Sequence, residues 1–174
     1  MNSLAVEIVR LLKSNKTWDV FKADWEAQCA VYEEDFDSYA EGTFSVVSDL
    51  LDQDDGKAGL FAVKVGGAFV SMCQLNLAML PGYTSSVLRV RFMTLSPEYD
   101  FGDKSVDEYA SVLVATFAMV LAVSDTQMNA KHIKFHLRSP ADRPFFAMLG
   151  KNLNDHAMFH SVQIRGAWLY VTKA

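Results

Sequence analysis

The feature that most constrains the fold is a change of hydrophobic period at Leu60. From there apolar and polar side chains alternate at every second position in LFAVKV and in AFVSMCQLNLAM, and Gly66-Gly67 joins the two runs. Period-two alternation is typical of β-strands, and two consecutive glycines supply the positive φ angles of a tight hairpin turn. The sequence therefore predicts a β-hairpin over residues 60–79.

The elements after this hairpin predict a mixed sheet. VLRVRFMTL at 87–95 alternates again and predicts a third strand, antiparallel to the second, with Arg89 and Arg91 on one face. Its apolar side chains are assigned to the other face: Leu88, Val90 and Phe92. A long apolar helix from about Ser105 to the mid-120s and a strand at 132–138 follow. A strand, long helix and strand in succession are typical of a crossover between parallel strands.

The rest of the chain completes an α/β (α+β) fold with a mixed, mainly antiparallel sheet flanked by helices. Pro140 is placed to begin a short helix that Gly150 ends, and Gly166-Ala167 lies between two strand-like runs that predict a closing hairpin. The chain has no proline-rich linker and no internal repeat. We therefore expect residues 1–174 to form a single domain.

Residues 1–59 are expected to be mostly helical. Their apolar side chains fall into three groups with helical spacing, the last one interrupted at Gly42. The groups are Leu4, Ile8, Leu11 and Leu12; Trp18, Phe21 and Trp25; and Phe36, Tyr39, Phe44, Val47, Leu50 and Leu51. The aromatic series Trp18, Phe21, Trp25 and Tyr32 fits either a partner-binding stripe or a core, and helical spacing of aromatic residues favours the core.

Composition excludes several classes of protein. A net charge of −5 argues against a non-specific binder of nucleic acid, which needs a basic face. The most apolar window, Ser111–Val123, has 13 residues, whereas a membrane span takes about 20. Cys29 and Cys73 lie far apart and form no CxxC motif, which favours reduced thiols. We expect a cytoplasmic protein with no membrane segment.

Two local patterns, together with the order of elements, resemble the GNAT superfamily of N-acetyltransferases over roughly residues 60–174. Ser96-Pro97-Glu98-Tyr99 matches the segment by which the family's central strand approaches its acetyl-CoA loop. The second pattern is RSPADRPFFAMLGKNL at 138–153. It places Ser139 at the family's asparagine, Phe145-Phe146 at its Phe-Tyr pair and Leu149-Gly150 at its Leu-Gly.

The resemblance implies an acyltransferase that transfers an acetyl group from acetyl-CoA to a small-molecule or protein amine. It places the coenzyme against these residues: Leu95, Gly102, Asp103, Lys104, Ser105, Ser139 and Arg143. The candidates for proton transfer in the expected cleft are Glu98, Tyr99, His136 and Tyr170. A basic rim for a nucleotide phosphate is a further option, although solvated surface charges are the simpler interpretation: Lys104, Arg138, Arg143 and Lys151.

The loop departs from the family pattern in a way that matters physically. In the family an arginine or glutamine and two glycines cradle the pyrophosphate, but here these positions are Asp100, Asp103 and Ser105. Ser105 and Glu108 match the Ser-x-x-Glu capping box, in which side chains bind the free N–H groups of the helix start. Additional carboxylates there repel a phosphate.

This departure supports a second hypothesis, a catalytically silent relative that acts as an assembly or protein-binding module, with its N-terminal helices as the binding surface. The family's catalytic tyrosine position is Phe146, which has no proton to give. Histidine spacing offers little else: His156 and His160 match a helical metal pair, and His132 and His136 share a strand face. No cysteine or carboxylate motif accompanies them, so no metal is expected.

Overall fold

The structure is a computed structural model that describes residues 5–139 and 142–174. Within these ranges the elements follow in chain order as strands β1–β7 and helices α1–α5, with a 3₁₀ turn at Ser48–Asp52. They are β1 (Val6–Leu11), α1 (Thr17–Val31), α2 (Phe36–Val47), β2 (Ala58–Val65), β3 (Ala68–Ala78), β4 (Val87–Leu95), α3 (Pro97–Phe101), α4 (Val106–Asp125), β5 (His132–His136), α5 (Asp142–Leu153), β6 (Phe159–Arg165) and β7 (Trp168–Lys173).

The strands form one seven-stranded sheet in the order β1-β2-β3-β4-β5-β7-β6. All neighbours pair antiparallel except β4 and β5, which run parallel with Val87 opposite His132 and Val90 opposite Phe135. Both predicted hairpins are confirmed. Between β2 and β3, Gly66 and Gly67 have φ angles of 57° and 92°. Residues that carry a Cβ rarely adopt such positive φ angles. The mixed, mainly antiparallel sheet predicted from the sequence is therefore confirmed.

Helices cover the two faces of the sheet and create two hydrophobic cores. On one face α4 and α5 pack over β2–β7 and bury rings such as Phe117, Phe135 and Phe146. On the other face α1 and α2 pack over β1–β3 and bury Phe21 and Trp25 completely. The prediction that the aromatic series packs in a core is thus confirmed for Phe21 and Trp25.

The helix predicted at the start of the chain is wrong. Val6–Leu11 is a strand, and it pairs antiparallel with β2 as the edge of the sheet; Leu4 lies outside the described residues. The apolar positions matched a helical template, but Val6, Ile8 and Val9 are β-branched and favour extended backbone. The edge of β2 supplies the hydrogen bonds that decide between the two structures.

Two predicted helix ends are also wrong. Helix α2 continues through Gly42, because Phe36, Ala40 and Val47 bury one face of it. Helix α5 continues through Gly150 to Leu153. A Cβ at Gly150 would lie 3.2 Å from Val162 Cγ1, so this glycine permits close packing of α5 on β6 instead of ending the helix. The predicted start at Pro140 lies outside the described residues.

Helix α4 is the longest helix of the described chain, with 20 residues. By length and composition it could also cross a membrane, which its 13-residue apolar window did not indicate. In this fold its buried side chains pack on the sheet, among them Leu113, Phe117 and Val120. The expectations of no membrane segment and of a cytoplasmic location stay predictions.

Candidate functional site

A bulge in β4 opens the sheet at its centre. The parallel ladder with β5 ends at Val90 and Phe135, and Phe92 then adopts a φ of 52° where the register with β3 shifts. The bulge reverses the alternation, so that Phe92 packs in the core under α1 and α2 while Leu95 packs in the core under α4. The sequence assigned Phe92 to the face of Leu88 and Val90, which is wrong because alternation cannot reveal an inserted residue.

A cleft of about 630 Å³ lies where β4 and β5 separate. Its walls come from β4, α3, the start of α4, the segment after β5, the start of α5 and one residue of α2. The lining residues are Thr43, Met93, Thr94, Leu95, Asp100, Val106, Tyr109, Ala110, Leu113, Arg138, Ser139, Asp142 and Phe145. Of the residues proposed for coenzyme binding, Leu95 and Ser139 are in this lining.

A tyrosine from α2 connects β4 to α3 at the cleft wall. The Tyr39 hydroxyl lies 2.6 Å from the carbonyl oxygen of Leu95 and 2.7 Å from Oδ2 of Asp100. The Tyr39 hydroxyl donates in both contacts and has one proton to share between the two acceptors. Tyr39 therefore fixes the position of the Asp100 carboxyl at the cleft wall.

The surroundings of Asp100 make it a weaker acid than a solvated aspartate. Part of its side chain is open to solvent, yet desolvation by the surrounding protein raises its pKa, and the hydrogen bond from Tyr39 only partly opposes this. Desolvation also raises the pKa of Asp142, and the charge of Asp100 adds to the rise. Both carboxyls line the same cleft, where they favour a bound cation or a bound proton.

Two other polar side chains complete the wall. Tyr109 donates a hydrogen bond to the carbonyl oxygen of Tyr99, and burial followed by the charges of Asp100 and Asp142 raises its pKa. Arg138 is the cationic side chain among the described lining residues, and its guanidinium lies 5.2 Å from the centre of the Phe92 ring. The cleft therefore combines two carboxyls with one fixed cation.

The predicted pyrophosphate cradle is occupied by the protein itself. The Ser105 N–H donates to Glu108 at 2.8 Å, and the Glu108 N–H donates to the Ser105 hydroxyl at 3.2 Å, which confirms the capping box. Lys104 Nζ lies 2.6 Å from Glu98 and 3.8 Å from Glu108. These donors are engaged internally, and Asp103 adds charge of the wrong sign, so the residues present do not fit a pyrophosphate.

Gly102 serves packing in this segment. Its φ is −82°, which any residue adopts, but a Cβ there would lie 2.3 Å from the Glu98 carbonyl oxygen and 2.6 Å from the Tyr32 hydroxyl. The glycine lets α3 lie against α1. A role in approaching a phosphate, as the resemblance implied, is not needed to explain it.

The four residues proposed for proton transfer are not among the residues that line the cleft. Glu98 pairs with Lys104, and the Tyr99 ring lies against Tyr109 at 5.6 Å. His136 and Tyr170 lie on the opposite face of the sheet. The His136 ring contacts Trp168 there at 4.7 Å, and burial together with Arg91, Arg138 and Arg143 lowers its pKa.

The remaining basic and histidine candidates are dispersed. Arg143 and Lys151 lie exposed on α5, outside the lining of the cleft. His156 follows α5 and His160 lies on β6, so they do not share a helix as their spacing indicated. Within the described residues no group of three potential metal-ligating side chains was found.

Sequence reasoning did not select Asp100, Tyr109 and Asp142 of the cleft lining as candidate functional groups, and it also missed Tyr39, which contacts Asp100. Asp100 carried a signal, since it is an acid at a position where the family has arginine or glutamine. Tyr39 carried none, because its contact with Asp100 joins residues 61 positions apart. Asp142 and Tyr109 look like ordinary first-turn residues of their helices.

Comparison with solved structures identifies the fold. A probable acetyltransferase from Staphylococcus epidermidis ATCC 12228 matches with a TM-score of 0.53 at 12% identity, over 96% of each chain. An N-acetyltransferase from Staphylococcus aureus Mu50 matches with a TM-score of 0.51 at 11% identity, over 96% of this chain and 94% of that one. The GNAT domain of S. lividans PAT matches with a TM-score of 0.50 at 12% identity, over 95% and 88%.

No protein-family model matches the sequence, and no curated protein matches it. At such low identities the structural matches establish the fold alone. The chain has the GNAT fold, which confirms the resemblance stated from the sequence. The matches also extend over the N-terminal third, because they cover at least 95% of the chain, whereas the sequence patterns reached only residues 60–174.

Proposed function

We propose that the chain is an N-acyltransferase that transfers an acyl group from a thioester, such as acetyl-CoA, to a primary amine in this cleft. The observation that carries the proposal is the pair of carboxyls, Asp100 and Asp142, on the wall where β4 and β5 separate. An amine arrives as a cation near neutral pH, and two carboxylates facing one cavity attract it. The GNAT fold supports the same class of reaction.

Asp100 is the group suited to accept a proton from the bound ammonium. Its raised pKa makes the carboxylate a stronger base than a solvated aspartate, and Tyr39 fixes its orientation through a 2.7 Å contact. The deprotonated nitrogen then attacks the thioester carbonyl carbon. A C–N bond forms, the C–S bond breaks, and the departing thiolate takes the second proton that the nitrogen loses.

The acyl donor is recognised mainly through its thioester arm in this proposal. The cleft has room for such an arm, whereas the donors expected to hold a pyrophosphate are engaged by Glu98 and by the capping box of Ser105 and Glu108. Acetyl-CoA and S-acetyl-N-acetylcysteamine, which lacks the nucleotide, should therefore give kcat/KM values within about tenfold of each other, since the phosphates contribute little binding energy.

Thiol release from both donors, measured with a panel of small amines and a lysine peptide, tests the proposal. Asp100→Asn should lower kcat/KM by about 100-fold, because general-base catalysis typically contributes this much. Asp107→Asn is the matched control, since Asp107 lies in the first turn of α4 outside the cleft lining. The proposed function would be contradicted if no pair of donor and amine gave turnover. It would also be contradicted if Asp100→Asn and Asp107→Asn gave equal rates.

A second candidate function, a catalytically silent binding module, is favoured by the self-capped start of α4. A thermal-shift titration with acetyl-CoA separates the two. A ligand at 100 times its Kd stabilises the folded state by about 2.7 kcal/mol, so binding at micromolar Kd gives a clear shift and argues against the silent module. No shift at millimolar coenzyme removes acetyl-CoA as the donor.

A further inference from the structure

The half of the sheet that α1 and α2 leave uncovered is a second feature of the molecule. On the side opposite α4, residues of β3–β7 form what we call the open sheet face. Cross-strand pairs place its side chains together: Asn76 beside Arg89, Arg89 beside Lys134, Lys134 beside Tyr170, and Tyr170 beside Gln163. The core under α1 and α2 takes in side chains of β1–β3 and Phe92, but none from β5, β6 or β7.

The open sheet face carries positive charge on an otherwise acidic protein. Arg89, Arg91, Lys134 and Arg165 lie on it, and the five strands β3–β7 contain no aspartate or glutamate. The whole chain has a net charge of −5. A face of this kind attracts an anionic partner and repels a second copy of itself placed by two-fold symmetry.

Three polar side-chain atoms of this face lack hydrogen-bond partners. Gln74 Oε1, Asn76 Oδ1 and Arg89 Nε are each buried without a hydrogen-bond partner. Buried polar atoms in folded proteins are nearly always paired, so these three require an explanation. A ligand that satisfies them must offer N–H donors to the two amide oxygens and an acceptor to the arginine.

The aromatic rings of the face already hold cations of the protein. Lys134 Nζ lies 4.6 Å from the centre of the Trp168 ring and 4.8 Å from that of Tyr170, and the Arg165 guanidinium lies 5.5 Å from Tyr170. Ring faces that are covered in this way cannot stack nucleobases. They instead fix the cations in place, where they can bind carboxylates.

We propose that the open sheet face binds an acidic, extended polypeptide segment of a partner protein. Such a segment supplies carboxylates for the fixed cations, and its backbone N–H groups pair with the orphaned oxygens once the half-buried side chains of Gln74 and Asn76 rotate toward it. The open sheet face is separate from the 630 Å³ cleft, whose lining does not include Arg89, Lys134 or Tyr170. This inference does not depend on acyl transfer.

Fluorescence anisotropy with a labelled decapeptide of alternating glutamate and serine tests the proposal without a coenzyme. We expect saturable binding that weakens as salt is added. Lys134→Gln combined with Arg165→Gln should weaken it about tenfold, since two fixed charges facing carboxylates are lost. The control is Lys57→Gln combined with Lys151→Gln. It changes the net charge by the same amount, but at exposed sites in the loop before β2 and on α5.

Gln163→Glu provides a second variant, because it adds a carboxylate at an exposed position of the face while the side chain keeps an oxygen toward Arg165. This variant too should bind the peptide more weakly, while the circular dichroism spectrum of the protein stays unchanged. Three results would each overturn the proposal. They are an affinity of both face variants equal to that of the unmodified protein, binding of a lysine-serine peptide as tight as that of the glutamate-serine peptide, and preferential binding of oligouridylate. Acetyl-CoA binding is measured in a separate titration. The peptide-binding test therefore stays valid even if the proposed acyltransferase function is wrong.

Discussion

Gly102→Ala tests whether the glycine of the proposed coenzyme loop serves packing or ligand binding. The added Cβ would lie 2.3 Å from the Glu98 carbonyl oxygen and 2.6 Å from the Tyr32 hydroxyl. Ordinary C···O contacts are about 3.3 Å or longer, so the backbone at the end of α3 must shift by about 1 Å relative to the Glu98 carbonyl, and the Tyr32 side chain must also move away. The φ of −82° suits alanine, which leaves this overlap as the whole cost.

We expect the free energy of unfolding to fall by about 2–3 kcal/mol, the upper part of the usual range for overpacking. For a chain of this size each kcal/mol shifts Tm by about 2–4 °C, so Tm should fall by roughly 5–10 °C. Urea unfolding followed by circular dichroism measures the free energy of unfolding, and a thermal scan measures Tm. Adding Tyr32→Phe should recover part of the loss, because it removes one of the two overlapping atoms but leaves the Glu98 carbonyl.

Gly42→Ala is the matched control, since a Cβ at Gly42 meets no atom within 4 Å and the residue lies inside α2. It should stabilise the protein by about 0.5–1 kcal/mol, because alanine loses less backbone entropy in a helix. If Gly102→Ala left stability unchanged but abolished acetyl-CoA binding, the packing explanation would be wrong and the glycine would belong to a coenzyme site.

Three further predictions concern the same region. Ser105→Ala should lower the free energy of unfolding by about 1 kcal/mol in urea titrations, whereas Ser105→Gly should cost only a few tenths. The folded pKa of Asp100 lies above its ordinary 3.8, so stability should decrease as pH rises from below 3.8 through the folded value; Asp100→Asn should flatten this part of a pH series of unfolding midpoints, and Asp107→Asn should not. Replacing Asp103 and Ser105 together by glycine should strengthen acetyl-CoA binding in calorimetry, and an unchanged Kd would refute the electrostatic explanation of the lost cradle.

Features decided by neighbouring residues were predictable from the sequence. The Gly66-Gly67 turn, the closing hairpin at Gly166 and the capping box of Ser105 each join residues within a few positions of one another. The edge strand β1 was not predictable in this way, because its partner β2 begins more than 40 residues later. Its apolar spacing matched a helix, and only the free edge of β2 makes the extended form favourable.

The cleft depends on contacts of the same long-range kind. Alternation in β4 gave no sign of the bulge at Phe92, and nothing in the sequence joins Tyr39 to Asp100. What the sequence did supply was the position of the cleft, since strands that end near Leu95 and Arg138 bound it. Position followed from topology, whereas the identity of the polar groups followed from side chains that meet only in the folded chain.

Asp100 connects the lost cradle with the proposed chemistry. In the sequence it stands where the family has arginine or glutamine, and its charge opposes a phosphate. In the fold the same carboxyl faces Tyr39 and shares the cleft with Asp142, where a raised pKa suits it to accept a proton from an amine. In the proposed function this one residue both weakens nucleotide recognition and supplies a base. An enzyme built this way must obtain its donor affinity from the thioester arm, so comparing the two acetyl donors tests this chemistry more directly than any measurement with acetyl-CoA alone.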